Sequence, residues 1–269
     1  MGFLVVGLAA AISAGCWSQQ EIVLITKNDA GANTDVDSDS DTDSDSDIDN
    51  CALGEYSGSL NIDTHSDATT LAGYTSISGN LIILCNIYDV MGELICLTSL
   101  GKDLVVFGVW GLTNLDGLNG INSVGRTLAI NSNSSLTNLD GLSGITSLGE
   151  SLEITNNNDL TNLDGLSGIN SVNGHLSIGG NNALTGLEGL SVITSVDENL
   201  YISGNDTLTS LDGLSALTAV GDELWITYNS ILPDCEVCAL LDQLTDEPSS
   251  INVSDNLDDS CTPVPANCP

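Results

Sequence analysis

Positively charged side chains are almost absent from this sequence. Its 269 residues include three Lys and Arg residues against 37 Asp and Glu residues, which gives a formal net charge of -34. Nucleic-acid binding needs basic patches that displace counterions from phosphates, and attraction to anionic lipid needs clustered Lys and Arg. The composition therefore excludes nucleic acid as a partner, and it excludes simple electrostatic attachment to a membrane.

The residue types that carry most catalysis are also scarce. The two histidines, His65 and His175, lie far apart, and the only basic side chains are Lys27, Lys102 and Arg126. A glycoside hydrolase needs two carboxylates in different environments, whereas the carboxylates here recur in a repeat. The sequence also lacks the G-x-S-x-G, H-E-x-x-H and phosphate-loop motifs. We therefore expect a protein that is not an enzyme, with a polysaccharide-active β-helix enzyme as the alternative.

The apolar run at residues 3–14 is too short to cross a bilayer, which takes about 20 residues, and it suits the hydrophobic region of an export signal. The run ends in Ser13-Ala14-Gly15-Cys16, which resembles the bacterial lipobox, where cleavage precedes a cysteine that then receives lipid. We predict a lipoprotein signal peptide over residues 1–15 and lipidation of Cys16. The protein would then be exported and held at the bacterial cell envelope, at the outer membrane or cell surface, by its lipid anchor alone. An ordinary signal peptide with an incidental cysteine is the alternative.

An acidic segment follows the predicted anchor. Aspartate occupies every odd position from 35 to 49. Such a segment repels itself and has nothing to bury, so residues 16–50 are predicted to be a disordered Asp/Ser tether. An EF-hand loop starting at Asp35 or Asp37 would need Gly at its sixth position and Glu at its twelfth, and neither is present. Loose binding of cations by the tether is the alternative function.

A period of 24 residues dominates the rest of the chain. The heptad LTNLDGL begins at Leu112 and returns, with small changes, four times. A Leu-x-Ile motif keeps the same period, and degenerate copies flank it; the copies begin at Leu60, Leu81, Leu104, Leu128, Leu152, Leu176, Leu200, Leu224 and Ile251. A fixed period of this length is typical of a solenoid, and the alternation predicts a strand whose outer two residues point inward. We predict a mainly β fold over residues 51–234: a right-handed β-helix or leucine-rich-repeat-like solenoid of about eight to nine coils.

Asparagine recurs at the bend after each predicted strand. The series is Asn133, Asn157, Asn181, Asn205 and Asn229, and Asn86 and Asn256 have the same offset from their own strands. Buried turn amides need hydrogen-bond partners, which an asparagine at each bend provides. We interpret the series as a structural ladder rather than a binding site.

The order G-x-L-x-I, then Asn, then L-x-x-L-x-x-L and I-x-S-V/L-G resembles the receptor L-domain. That family has the leucine-rich, β-helix-like fold of insulin- and growth-factor-receptor ectodomains. The closing ILPDCEVCALLDQL resembles the C-terminal end of bacterial secreted lipoproteins with such repeats. The resemblance covers about residues 51–262 and implies the fold, but it does not identify a ligand, because one scaffold serves many partners.

The eight cysteines predict disulfides in an oxidising compartment. With Cys16 lipidated, the disulfide candidates are Cys51, Cys85, Cys96, Cys235, Cys238, Cys261 and Cys268, an odd number that leaves at least one unpaired. Zinc binding at the Cys235-x-x-Cys238 motif would need two more ligands, and a redox site would need a βαβ context that is absent. Residues 235–269 are predicted to form a cysteine-rich cap, with a short helix over residues 235–244.

The repeat predicts two surface columns. The first is acidic and comprises Asp116, Asp140, Asp164, Glu188 and Asp212. Its carboxylates either bond the turn amides beside the following glycines or take up calcium, the one cofactor that the sequence suggests. The second column is the outward middle residue of each strand: Asn61, Ile82, Val105, Ala129, Glu153, Ser177, Tyr201 and Trp225.

Adjacent aromatic residues on a strand face suit recognition of protein or sugar. The sequence therefore predicts a ligand-binding surface at Glu153, Ser177, Tyr201, Trp225 and Tyr228, unless a terminal loop covers it. We expect a binding or adhesion module whose partner is an unknown protein or glycan at the cell surface. The alternative is a structural envelope spacer without a ligand. In a eukaryotic secretory context, the sequons at Asn133, Asn205 and Asn252 would also matter.

Overall fold

The computed structural model describes residues 51–84, 91–246 and 248–257. Every described residue belongs to a single compact unit of the chain. The predicted signal peptide, Cys16 and the tether to residue 50 lie outside the described residues. No helix within the described ranges is long and apolar enough to span a bilayer.

The fold is mainly β, and its largest element is a sheet of nine parallel strands, here called the major sheet. From one edge to the other, its strands are Ser250–Ser254, Glu223–Thr227, Leu200–Ser203, Leu176–Gly179, Leu152–Thr155, Leu128–Asn131, Leu104–Phe107, Leu81–Leu84 and Leu60–Ile62. Each predicted Leu-x-Ile copy is one of these strands. Repeated parallel strands of this kind are those of a solenoid or β-helix, which confirms the predicted class of architecture.

The strands pair in register along the sequence period. Leu152 pairs with Leu128 on one side and with Leu176 on the other, and the Ile residues two positions later pair in the same way. All of these side chains are buried in one continuous core. Since a shift of one residue would turn this apolar pair outward, the core fixes the register. Ile251, at the edge strand, remains 45% exposed because it has a neighbouring strand on one side only.

The structure contains a second set of parallel strands that was not predicted from the sequence. In the regular repeats these strands coincide with the S-V/L-G motif. A five-stranded sheet contains Gly54–Tyr56, Tyr74–Ile77, Ser99–Leu100, Ser123–Val124 and Ser147–Leu148, and a separate pair contains Ser195–Val196 and Ala219–Val220. An isolated bridge joins Val172 to Val196. Most of these strands are two residues long, too short to show an alternating pattern in the sequence.

The Asp-Gly-Leu part of the heptad forms a single turn of 3-10 helix. These turns are Asp140–Leu142, Asp164–Leu166, Glu188–Leu190 and Asp212–Leu214, and an earlier one spans Met91–Leu94. The glycine is required by close stacking, because a Cβ on Gly165 would overlap the backbone carbonyl of Leu139 in the preceding repeat. Glycine therefore recurs after the acidic residue because consecutive repeats are too close at this point to accommodate a side chain.

The predicted asparagine ladder is present and buried. Asn181 Oδ1 accepts a hydrogen bond from the backbone N–H of Asn157 (3.0 Å), while Asn181 Nδ2 donates to the carbonyl of Ile154 (2.8 Å). The same pattern holds along the series and ends on Asn256, whose Oδ1 accepts from the backbone N–H of Asn229 (3.2 Å). Each side chain thus satisfies backbone groups of other repeats, which buried bends require. Asn86 lies outside the described residues.

A short helix, His65–Thr69, follows the strand Leu60–Ile62 along the chain. Thr64 caps this helix through a reciprocal pair of hydrogen bonds with Asp67. The C-terminal helix predicted over residues 235–244 is present as Asp234–Gln243. Its Val237, Leu240 and Leu241 join the core. Gln243 Nε2 donates to the carbonyls of Leu214 (2.6 Å) and Leu217 (2.9 Å), so the helix is held against the last 3-10 turn of the repeat.

The disulfide candidates are only partly within the described residues. Cys51 and Cys96 form a disulfide with a Cα–Cα distance of 5.3 Å, which ties the segment before the first strand to the segment after Met91–Leu94. Cys235 and Cys238 are also disulfide-bonded. Cys85, Cys261 and Cys268 lie outside the described residues.

Candidate functional site

The outward middle positions of the major sheet, here called the sheet face, bring four of the five predicted ligand residues together. Glu153 pairs with Ser177, Ser177 with Tyr201, and Tyr201 with Trp225 in consecutive parallel strands. Tyr228, the fifth, lies at the bend beyond the strand, in a left-handed backbone conformation (φ 58°), and is 56% exposed.

The sheet face is less exposed than the sequence suggests. Ala129 is buried, and Glu153, Ser177, Tyr201 and Trp225 are half-buried. Strands about 4.8 Å apart bring the outward side chains into contact, so a large residue covers its smaller neighbour. The aromatic pair is therefore a partly embedded surface rather than two free rings.

Tyr201 and Trp225 form an edge-to-face pair with ring centroids 6.0 Å apart. The Tyr201 hydroxyl donates to Glu223 Oε2 at 3.2 Å. Burial raises the pKa of Tyr201, and the nearby carboxylates of Glu223, Asp222 and Glu198 raise it further. The phenol therefore stays protonated at neutral pH and remains a hydrogen-bonding group.

A polar network lies beside the aromatic pair. His175 Nε2 lies 2.9 Å from Glu153 Oε1, and Asn131 Nδ2 donates to Glu153 Oε2 at 3.3 Å. His175 Nδ1 lies 3.1 Å from Ser151 Oγ. The prediction included Glu153 but missed His175 and Asn131, because they occupy the neighbouring outward columns and reach Glu153 diagonally across the strands. His175 could have been noticed as one of only two histidines in the sequence.

The two titratable groups of the network stabilise each other's charged form. The hydrogen bond with Glu153 raises the pKa of His175, while burial opposes that shift; the charges of Glu153, Glu198 and Glu150 add to the increase. The hydrogen bond with His175 lowers the pKa of Glu153, whereas burial raises it. The hydrogen bond from Asn131 lowers this pKa as well. The pair therefore places a fixed carboxylate on the sheet face.

The order Ser151, His175, Glu153 brings a hydroxyl, an imidazole and a carboxylate together, as a nucleophilic catalyst would require. Ser151 is only 3% exposed, and its Oγ already accepts a hydrogen bond from the backbone N–H of His175 (3.1 Å). A Cβ on Gly174 would overlap that oxygen. The burial of this hydroxyl disfavours its use as a nucleophile, whereas the contacts of His175 and Asn131 fix the orientation of the Glu153 carboxylate.

The predicted acidic column lies on the exposed surface, at the four 3-10 turns of the heptad and, for Asp116, at a turn that is not 3-10. The backbone N–H of Asp140 donates to Asn138 Oδ1 (3.1 Å), and Asp164 uses Asn162 in the same way (3.1 Å). The backbone N–H of the acidic residue is thus bonded by the side chain two residues earlier at four of the five positions; the fifth, Glu188, follows Gly186, which has no such side chain. Within the described ranges, no group of three or more His, Cys, Asp or Glu side chains is arranged to hold a metal ion. Calcium binding by the column stays an untested prediction.

Comparisons with known proteins found no family, no curated protein and no solved structure that matches this chain.

Proposed function

We propose that this protein is a non-catalytic binding module that contacts a protein or glycan at the cell envelope through its sheet face. The module would be a right-handed solenoid of eight to nine coils, similar to the receptor L-domain. Lipidated Cys16 would anchor it, and the acidic tether of residues 16–50 would hold it away from the membrane.

One observation carries this proposal: the inward residues of the major sheet repeat from strand to strand, whereas the residues of the sheet face do not. The inward residues of consecutive strands are Leu and Ile throughout, whereas the outward middle residues change from Ala129 to Glu153, Ser177, Tyr201 and Trp225. Stacking requires identity on the inward side only. The outward changes bring an oriented carboxylate and an aromatic pair onto one surface, which is the composition of binding hot spots.

An envelope spacer without a ligand has no need for this composition. A polysaccharide-active enzyme is disfavoured by the burial of Ser151 and by the mutual engagement of His175 and Glu153. Both alternatives remain outcomes of the experiment below.

The test is site-specific photo-crosslinking in intact cells with the full-length protein. A photoreactive amino acid replaces Ser177 on the sheet face or, as the matched control, Ser191, an exposed serine after a 3-10 turn. We expect a discrete adduct from position 177 that disappears when Tyr201→Ala and Trp225→Ala are added, and none from position 191. The proposal fails if position 177 gives no adduct, or if both positions give the same adducts.

A further inference from the structure

A cleft of about 400 Å³ lies between residues 91–95 and residues 111–117, and its lining shares no residue with the sheet face; we call it the joint cleft. It arises where the irregular N-terminal part of the fold meets the regular repeat. At Gly117 the usual 3-10 turn is absent and the backbone has a positive φ of 105°. The residues that line the cleft include Met91, Ile95, Thr113, Asn114 and Asp116.

Two exposed apolar side chains mark this region. Trp110, which immediately precedes Gly111 in the lining, is 71% exposed, the largest value among the large apolar residues of the described ranges; Ile95 is 63% exposed. Both break the repeat. The position of Trp110 is polar in the later repeats (Ser134, Asn158, Asn182 and Asp206), and so is the position of Ile95 (Asn119, Ser143, Ser167 and Ser191). Because the later repeats stack with polar residues at both positions, stacking of the repeats does not require either apolar side chain.

The lining selects the class of ligand. It has no cation, and Asp116 within a chain of net charge -34 disfavours an anion. Thr113, Asn114 and Asp116 offer hydroxyl, amide and carboxylate groups for sugar hydroxyls. Asn114 Oδ1 accepts from the backbone N–H of Asp116 at 3.0 Å, which fixes the orientation of the amide; the same contact recurs at Asn138 and Asn162. An exposed indole adds a flat apolar surface for the C–H face of a sugar ring.

The walls of the cleft are fixed in place. The disulfide between Cys96 and Cys51 anchors the residue next to Ile95. A Cβ on Gly117 would overlap the backbone carbonyl of Met91, so the two walls already touch. A site formed in advance loses less conformational entropy on binding.

We propose that the joint cleft binds a neutral glycan, with Trp110 stacking on a sugar ring and Asn114 and Asp116 bonding its hydroxyls. A peptide fits less well. Strand addition needs a sheet edge, and helix recognition needs a long apolar groove, whereas these walls are a 3-10 turn and a bend. The site stands independently of the sheet face.

The test is binding of the purified full-length protein to an array of neutral and acidic glycans, followed by titration of each hit with soluble oligosaccharide. Trp110→Ala is compared with Val192→Ala, which removes another exposed apolar side chain that lies far along the chain and outside the sheet face. We expect neutral hits whose affinity falls at least about tenfold in Trp110→Ala, as for an interface hot spot, and does not change in Val192→Ala. Trp110→Phe should retain most of the affinity because it keeps an aromatic face. Urea unfolding midpoints should be the same for all variants, since both side chains are exposed.

Three results would overturn the proposal: no neutral glycan bound at all, neutral binding that survives Trp110→Ala, or a loss in Val192→Ala as large as that in Trp110→Ala. The variants also separate this site from the sheet face. If position 177 gives no adduct but Trp110-dependent glycan binding is observed, only the proposed function is rejected. If position 177 gives its adduct but no Trp110-dependent glycan binding is observed, only the joint cleft is rejected.

Discussion

The asparagine ladder makes the most direct prediction about stability. In Asn181→Ala, the backbone N–H of Asn157 and the carbonyl of Ile154 lose the partners that lie 3.0 Å and 2.8 Å away in the native protein. Both groups are inside the bend, beyond the reach of solvent. A buried polar group left unsatisfied costs about 1–3 kcal/mol, so two of them should lower the free energy of unfolding by about 2–6 kcal/mol.

The neighbouring Asn182 provides the matched control. It is exposed, and its Nδ2 makes one long contact of 3.5 Å with Asn158 Oδ1, so Asn182→Ala should change the free energy of unfolding by less than about 0.5 kcal/mol. Urea unfolding followed by circular dichroism measures both variants, and an unchanged m-value would show that the transition is of the same kind. Asn181→Leu fills the volume without restoring the hydrogen bonds. If Asn181→Ala costs no more than Asn182→Ala, or if Asn181→Leu is as stable as the wild type, the ladder does not hold the repeats together as argued.

Three further predictions concern the core, the polar network and the N-terminal disulfide. Gly165→Ala should destabilise by at least about 2 kcal/mol in urea unfolding, because its Cβ has no space, whereas Gly92→Ala, whose Cβ meets no atom within 4 Å, should change stability by less than about 1 kcal/mol; equal effects would contradict the close stacking. The stability advantage of wild type over His175→Gln should be fully present between the ordinary pKa values of glutamate, 4.5, and histidine, 6.5. It should be lost as the pH rises through the raised pKa of His175 or falls through the lowered pKa of its carboxylate partner; urea midpoints that differ equally at pH 5.5 and pH 9 would refute the pairing. Opening the Cys51–Cys96 disulfide by serine replacement, which releases a sequence separation of 45 residues, should cost about 2–4 kcal/mol in the same assay, and a loss below about 1 kcal/mol would contradict it.

The sequence predicted the parts of the fold that stacking forces to repeat. The Leu-x-Ile strands were found because every inward position must be apolar in each copy, and even Leu60-Asn61-Ile62 and Ile251-Asn252-Val253 satisfy that demand. The asparagine ladder was found for the same reason, since each bend presents the same buried amide. The second set of strands was missed, because a pair such as Ser123–Val124 carries no periodicity of its own.

The candidate site could be predicted only in part. The period placed Tyr201 beside Trp225, because residues 24 apart become neighbours in paired strands. It did not place His175 against Glu153, a diagonal contact between residues 22 apart whose formation depends on side-chain rotamers. It also did not reveal the exposure of Trp110, because a tryptophan at a bend is equally consistent with a ring folded back onto the core.

The contrast between the two sides of the sheet gives a general criterion for locating function in this molecule. A residue that recurs with the period is explained by stacking, as Gly165 is explained by the carbonyl of Leu139 beneath it. A residue that breaks the period at an exposed or half-exposed position has no such explanation. The described residues of this kind include the Tyr201–Trp225 pair, the oriented carboxylate of Glu153, and Trp110 with Ile95 at the joint cleft. Because the scaffold tolerates Ser134 or Asn158 where Trp110 stands, an indole exposed at that bend is better explained by a ligand than by the fold.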